Sequence, residues 1–508
     1  MKEKTFTVVG LVLIINILSR ACALIAGVMV TSFYGTTLET SAYSFALNVT
    51  NIITTVIGTA LTTSVIPTYT ELKEHDGDKN ADKFVGNIVG ITVLLGAVLA
   101  AAGMAIAPIM AGMAEGGTDF AAFAIRGMMP AIIFISLYYI FSGVLQSNGK
   151  FYLAAMVSIP SSLVNILYII LLSPYFGVAG LVYSTVIGFF LQAFILYIPL
   201  IKSGRKIIPA VNFRDKQIKT VLKLSAPVLI GVCAHQINLL TNSSIAYSYN
   251  GEKYIVLSNI QNLGIQIVMT IILAVASVMY PKLTHLAVQK DNDGFNKMFT
   301  RALNLISILM IPISVGFVLL SENLIDLVYG YGKFSAADVK SGAVIFSLYA
   351  LGVLGNGFKE IVDRAYYARK ITKPSAYNGV LIMAVNIVLS AVLVKFYGFN
   401  GIAVAYSIAS LCGGFTIFAV FARRFRDFKT KPVFINILKC ILSALLMGCV
   451  VWGINTFEVS GKLTLLIKTG MAIVGGMISY AVFLLVFKCE DLMDVIKSLT
   501  KREEKKEC

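Results

Sequence analysis

Residues 163–184 read LVNILYIILLSPYFGVAGLVYS, and residues 384–407 read AVNIVLSAVLVKFYGFNGIAVAYS. Each is an apolar run, a glycine-bearing joint and a second apolar run. Asn165 matches Asn386, Gly177 matches Gly398, Gly180 matches Gly401 and, after a short slip, Ser184 matches Ser407, roughly 220 residues apart. A second pair repeats at a similar interval: SVIPTYTEL around Pro67 and SVMYPKLTHL around Pro281. Glycine and asparagine match as well as leucine and valine, so the pairs indicate a duplicated unit.

Working outward, apolar stretches recur from end to end. Hydrophobic residues make up 57% of the 508 and charged residues 13%. That balance excludes a soluble globular chain. Each stretch is long enough to cross a hydrocarbon core of about 30 Å as a helix. They lack the short alternating pattern of a barrel strand. The reading is an all-α integral membrane protein with about fourteen transmembrane helices, the first over 5–33 and the last over 463–487. Six spans separate the repeated pairs, an even number, so the halves share one orientation and are related by a pseudo-two-fold along the membrane normal. The expected parts are an N-lobe (1–201), a linker (202–223), a C-lobe (224–422), two added helices (423–487) and a basic tail (488–508). A substrate path is expected between the two six-helix lobes.

The net charge of +16 follows topology rather than nucleic acid, because no solvated domain gathers it. The linker carries Lys202, Arg205, Lys206, Arg214, Lys216, Lys219 and Lys223, whereas the next connection carries only Lys253. Basic residues alternate in this way along the chain, which predicts that both termini are cytoplasmic. The seven cysteines (Cys22, Cys233, Cys412, Cys440, Cys449, Cys489 and Cys508) have no metal-binding spacing and read as free thiols. No GxxxxGK[ST], HExxH or GxSxG motif occurs, so neither an enzyme nor an ATPase is expected. No cofactor is expected either. Any energy input would come from the membrane potential, a sodium or proton gradient, or the substrate gradient.

Polar groups at membrane depth need a partner or a wet cavity. Arg20 lies mid-span with Asn16 one turn before it, and a guanidinium can clamp a phosphate with two hydrogen bonds. The alternative is that Arg20 bonds helix-end carbonyls as structural glue. Span two carries Asn48, Asn51, Thr54 and Thr55; span seven His235, Gln236, Asn238 and Asn242; span eight Asn262. Cavity lining and interhelical hydrogen bonding both account for that density. Lys359 with Asp363, and Glu360 with Arg364, are spaced for ion pairs four apart. Arg126 sits near the end of span four.

The segments SRACALIAG (19–27), HQINLLTNSSIA (235–246), YPKLTHLA (280–287), LVYGYGKFSAADV (327–339) and DRAYYARKITKPS (363–375), with the longer run 128–151, resemble the MurJ lipid II flippases of the multidrug/oligosaccharidyl-lipid/polysaccharide exporter superfamily. The resemblance implies a multi-pass protein of the bacterial inner membrane. It would carry a polyprenyl-diphosphate-linked peptidoglycan precursor between leaflets by alternating access, beside membrane lipids and wall-synthesis enzymes. The headgroup cavity would draw on Arg20, Asn16, Asn48, Asn51, Thr55, Gln236, Asn238 and Asn262, with Arg126, Lys359 and Arg364 as auxiliary cations. An ion site would draw on Asn242 and Asn386. The chain departs from the family where the latter has cavity arginines, at Thr54 and Thr55, give or take one place, and at Asn262, and where it has a span-seven aspartate, at Asn242. The family's Arg-Asp pair in span one corresponds to Ala26 and Gly27. Three further readings stay open: a flippase for another lipid-linked oligosaccharide, a drug or metabolite antiporter, and a non-transporting scaffold. The antiporter would want a buried carboxylate, and spans one to nine have none at their centres.

Overall fold

The computed structural model describes residues 2–112, 118–156 and 158–489. The expected basic tail beyond residue 489 and the side chain of His235 lie outside the described residues. All regular structure in the described residues is helical. In chain order the helices are α1 (Lys2–Tyr34), α2 (Leu38–His75), α3 (Asp78–Ala111), α4 (Thr118–Met128), α5 (Ala131–Ser147), α6 (Phe151–Ala155), α7 (Ile159–Leu171), α8 (Ser173–Lys202) and α9 (Lys216–Tyr249). There follow α10 (Tyr254–Val288), α11 (Asn292–Tyr329), α12 (Ala336–Ala350), α13 (Val353–Ala368), α14 (Lys373–Tyr397), α15 (Phe399–Arg424), α16 (Lys431–Asn455) and α17 (Lys462–Val486).

Twelve of these helices, counting α4 with α5 and α12 with α13 as single spans, are long and apolar enough to cross a bilayer. The two other expected spans are α7, which is shorter but apolar, and α9, whose 34 residues include the polar run around Gln236. The chain is thus a multi-pass membrane protein with twelve such helices among the described residues, a count compatible with the about fourteen expected spans. Large apolar side chains face outward along whole helices, as in Leu463, Leu466, Met477 and Val486 of α17, where lipid is the matching solvent.

The duplication is visible in the backbone. Gly177 has φ 55° and ψ −149°, and Gly398 has φ 57° and ψ −139°. Gly398 alone joins α14 to α15, while Gly177 kinks α8 one turn after its start, and both adopt a conformation closed to side chains with a Cβ. Tyr168 donates to the Gly177 carbonyl at 2.7 Å, and Ser184 donates to Asn165 at 2.9 Å, which fastens α7 to α8. Pro67 and Pro281, the other matched pair, both lie inside long helices about two turns from their ends.

Two compact units form. One holds residues 1–255 with Tyr331–Phe334; the other holds 256–330 and 335 onward. The first therefore takes in α9, which the repeat assigns to the second half, and α9 packs along α2. Its core gathers Tyr69, Phe84, Val85, Ile88, Tyr138, Phe141 and Leu200, with Ile207, Ile218 and Val221 from the linker and the start of α9. In the second unit α11 is the central helix, packed by α12, α13, α16 and α17. Phe299, Phe421 and Phe428 interlock there, with ring centroids 4.5 to 5.8 Å apart. Burying such rings stabilises by roughly 1.5–3 kcal/mol each.

Candidate functional site: a polar face in the first unit

Helix α1 packs on α6 and α7 through Ser19, Ala26 and Val30, all buried. Ser19 Oγ accepts from the Ser158 amide at 2.9 Å. Arg20 is the next residue, about 100° further round, and is exposed; Asn16, one turn earlier, is half-buried. These two therefore share one face of α1, as the sequence predicts.

Helix α2 carries a ladder of hydroxyls. Thr50, Thr54, Thr55, Thr59, Thr62, Ser64, Thr68 and Thr70 each donate to the carbonyl four residues earlier, at 2.5 to 2.9 Å. Back-bonding of this kind satisfies the hydroxyl proton within the helix and leaves only lone pairs to offer. Thr55, whose donation goes to the Asn51 carbonyl at 2.7 Å, can accept from a headgroup but brings it no proton. Asn51 is exposed beside it.

Asn48 is held by Tyr254: its amide donates to the phenol oxygen at 2.7 Å. Tyr254 sits edge-on to Phe45 and Tyr247, while Phe45 and Tyr247 stack at 4.3 Å. Ser41 completes this end by donating to the Glu252 carbonyl at 2.6 Å and accepting from the Ile255 amide at 3.1 Å. The sequence reading missed the aromatic cluster. Its signal is the run YSYNGEKY (247–254), three tyrosines around a turn. On α9, Gln236 and Asn242 are buried, Asn238 is half-buried, and Asn242 Nδ2 lies 3.5 Å from Asn238 Oδ1.

Seven of the eight proposed headgroup residues thus fall in the first unit; Asn262 lies on α10 of the second, exposed. Asn242 belongs to the first unit and Asn386, buried on α14, to the second. The auxiliary cations are already engaged. Lys359 Nζ lies 2.9 Å from Asp363 Oδ2, and Arg364 Nη2 lies 2.6 Å from Glu360 Oε1 with Tyr280 stacked beneath its guanidinium at 5.6 Å. Arg126 donates to the Met104 carbonyl at 3.3 Å. In the second unit a narrow pocket, lined by Val268, Phe317, Phe346, Tyr349 and Tyr406, presents mainly apolar surface. Its polar residues Asn356 and Tyr406 are hydrogen-bonded to each other at 2.9 Å, so it lacks the chemistry to bind a charged headgroup.

Beneath α3 the linker is fixed in an extended path. Arg205 bridges Asp82 at 2.8 Å, Asp78 at 3.2 Å and Asn148 at 3.2 Å, and lies 5.5 Å from the Tyr69 ring. Burial lowers its pKa, but Tyr69 and the two aspartates together outweigh that and raise it above the ordinary guanidinium value. Asn87 then clasps Asn212 at both amide and carbonyl, at 2.7 and 3.0 Å, and reaches Asp215 at 3.2 Å. Asp215 caps α9 by accepting from the Gln217 amide at 2.9 Å.

The fold is shared with solved transporters. A lipid II flippase MurJ in an inward closed conformation superposes with TM-score 0.79 at 24% identity, over 96% of this chain and 99% of that one. An inward-facing multidrug resistance MATE family transporter of the MOP superfamily gives 0.70 at 14% identity, over 83% and 98%. A probable lipid II flippase MurJ of Vibrio cholerae is 24% identical over 469 residues, 87% of each chain. The lipid II flippase MurJ of Burkholderia cenocepacia is 22% identical over 465 residues, 88% of this chain and 89% of its own. Residues 30–470 match the family model described as lipid II flippase MurJ, nearly the whole span from α1 to α17, and the chain belongs to that family.

Proposed function

We propose that this protein translocates lipid II, a polyprenyl-diphosphate-linked peptidoglycan precursor, between the leaflets of the bacterial inner membrane by alternating access. Family membership along residues 30–470 carries this reading. Arg20 supplies the headgroup cation: it stands exposed on α1, in the same unit as the polar faces of α2 and α9. A guanidinium offers a diphosphate two parallel charge-assisted hydrogen bonds. Asn16, one turn from Arg20 on α1, and Asn51, one turn from Thr55 on α2, provide neutral donors, and Thr55 provides an acceptor. Both termini are assigned to the cytoplasm by the distribution of basic residues. Coupling to the membrane potential or to a sodium or proton gradient, with Asn242 and Asn386 as neutral ion ligands, belongs to the same proposal.

A second substrate reading has a specific support. Thr54, Thr55 and Asn262 are neutral where the family resemblance leads one to expect arginine. Fewer cations suit a lipid-linked oligosaccharide of lower charge. The deciding experiment is complementation of a bacterium depleted of its lipid II flippase, with the intact chain and with Arg20→Ala at matched membrane abundance. Rescue by the intact chain and failure of the variant support lipid II transport with Arg20 as clamp. Well-inserted intact protein that does not rescue rules out lipid II and leaves the other glycan lipid.

A further inference from the structure

The linker between α8 and α9 faces two ways. Ile207, with Ile218 and Val221 at the start of α9, turns inward, each 7% exposed or less, while Ile208 is 72% exposed, Val211 53% and Phe213 47%. This outward set is held there by the backbone rather than by chance of a loose loop. A Cβ on Gly86 would lie 2.2 Å from the Ile208 carbonyl oxygen, and one on Gly90 would lie 2.0 Å from that of Ala210. The Ala210 amide donates to the Gly86 carbonyl at 3.1 Å, and Asn87 grips Asn212 from both sides. With the chain pressed so closely onto α3, its remaining side chains point away from the protein.

Their depth follows from α3. Its first turns are charged, with Asp78, Lys79, Asp82 and Lys83, and from Val93 its exposed residues become Leu94, Leu95 and Val98. That change spans about 15 Å of helix. Gly86 and Gly90 lie between, so the linker runs at the level where water gives way to hydrocarbon. Around the three apolar side chains stand Lys202, Lys206, Arg214, Lys216 and Lys219, all exposed. Among the described residues no ion pair engages any of the five, because Asp78 and Asp82 are taken by Arg205, and Asp215 caps α9.

We propose that residues 202–219 form an interfacial anchor whose partner is an anionic phospholipid surface: Ile208, Val211 and Phe213 insert among the acyl chains, and the five cations meet lipid phosphates. Exposed apolar side chains beside basic ones at the headgroup level are the signature of such a segment. The anchor acts on the strap that joins α3 to the first turn of α9. It stands whether the transported lipid is lipid II or another glycan lipid.

Fluorescence depth measurement tests it in the full chain. The chain has a single tryptophan, Trp452, which is 63% exposed, so Trp452→Phe leaves a silent background. Phe213→Trp, and in parallel Val211→Trp, then report the linker in vesicles of phosphatidylcholine with or without phosphatidylglycerol. Bromines placed along the acyl chains quench from within the membrane, and acrylamide quenches from water. The expected result is bromine quenching that locates both reporters about 5–10 Å into the headgroup and acyl boundary, with less acrylamide quenching when phosphatidylglycerol is present. Full quenching by acrylamide and none by bromine would overturn the proposal in favour of a solvated loop. Shielding from both quenchers would overturn it in favour of a protein contact. Equal values in the two lipid mixtures would refute the anionic partner.

Discussion

Replacing Arg205 by alanine removes the one cation that ties the linker to α2, α3 and the end of α5. The side chains of Arg205 and Asp82 are 10% and 12% exposed, whereas that of Asp78 is 67% exposed. The Asp78 contact is therefore screened and contributes about 0–1 kcal/mol. Withdrawing the guanidinium from nearly buried Asp82 leaves an uncompensated carboxylate, which costs about 3 kcal/mol at the low end of the buried-pair range. Loss of the stacked Tyr69 ring adds about 0.5–1 kcal/mol. The expected destabilisation is about 3.5–5 kcal/mol. The double variant Arg205→Met, Asp82→Leu removes both charges together. It should lose less than the sum of the single changes, with a coupling of about 2 kcal/mol. Unfolding of the purified protein in graded SDS reads these values, and limited proteolysis between residues 203 and 215 reads release of the strap. An Arg205→Ala protein within about 0.5 kcal/mol of the parent, with a linker no easier to cut, would refute the reasoning. The pH dependence has a definite sign. Arg205 is more basic folded than unfolded, so its contribution is fully present below the unfolded value and fades only as pH rises through the raised folded one. Titration from about pH 7 to about pH 10 therefore leaves this contribution intact.

Gly90→Ala should lower stability by about 1–3 kcal/mol, since its Cβ meets the Ala210 carbonyl, while Gly27→Ala, with open space around it, should not; paired thermal melts compare them. Lys359→Met should destabilise the second unit by about 3 kcal/mol by stranding Asp363, which is 4% exposed, and Lys359→Met with Asp363→Leu should recover most of that loss in the same melts. Tyr254→Phe removes the acceptor of the Asn48 amide and should cost about 1 kcal/mol while keeping the ring packed on Phe45; a transport assay at matched abundance would then show whether Asn48 orientation limits the rate. Gly398→Ala should cost about 1–2 kcal/mol from its left-handed backbone, and Gly177→Ala the same within error, because the two joints share one geometry.

Much of the architecture was legible because hydropathy and repetition are properties of the chain alone. The apolar spans and the glycines at 177 and 398 needed no knowledge of neighbours. The i,i+4 pairs of α13 were equally readable, since helix geometry fixes both partners. The threonines of α2 were not. A hydroxyl that could line a cavity and one that back-bonds to its own helix are the same letter, and only coordinates distinguish them. Thr55 kept a place in the candidate site with its one donor already spent. Packing of α9 against α2 was hidden for a related reason: duplication records ancestry, whereas contact follows the local fit of side chains. The tight linker path depends on two missing side chains, Gly86 and Gly90, and sequence shows an absence without showing what fills it.

The single-residue joint between α14 and α15 also bears on how the protein is made. With Gly398 alone between them, there is no length of chain on which one helix can pause in water after the other has entered lipid. A lone span would leave its partner's first turn dragged into the headgroups with its amides unbonded. The two must partition as one hairpin. The insertion machinery thus handles this polypeptide there as a unit of two helices, and a polar spacer introduced after Gly398 would convert one concerted step into two separate ones.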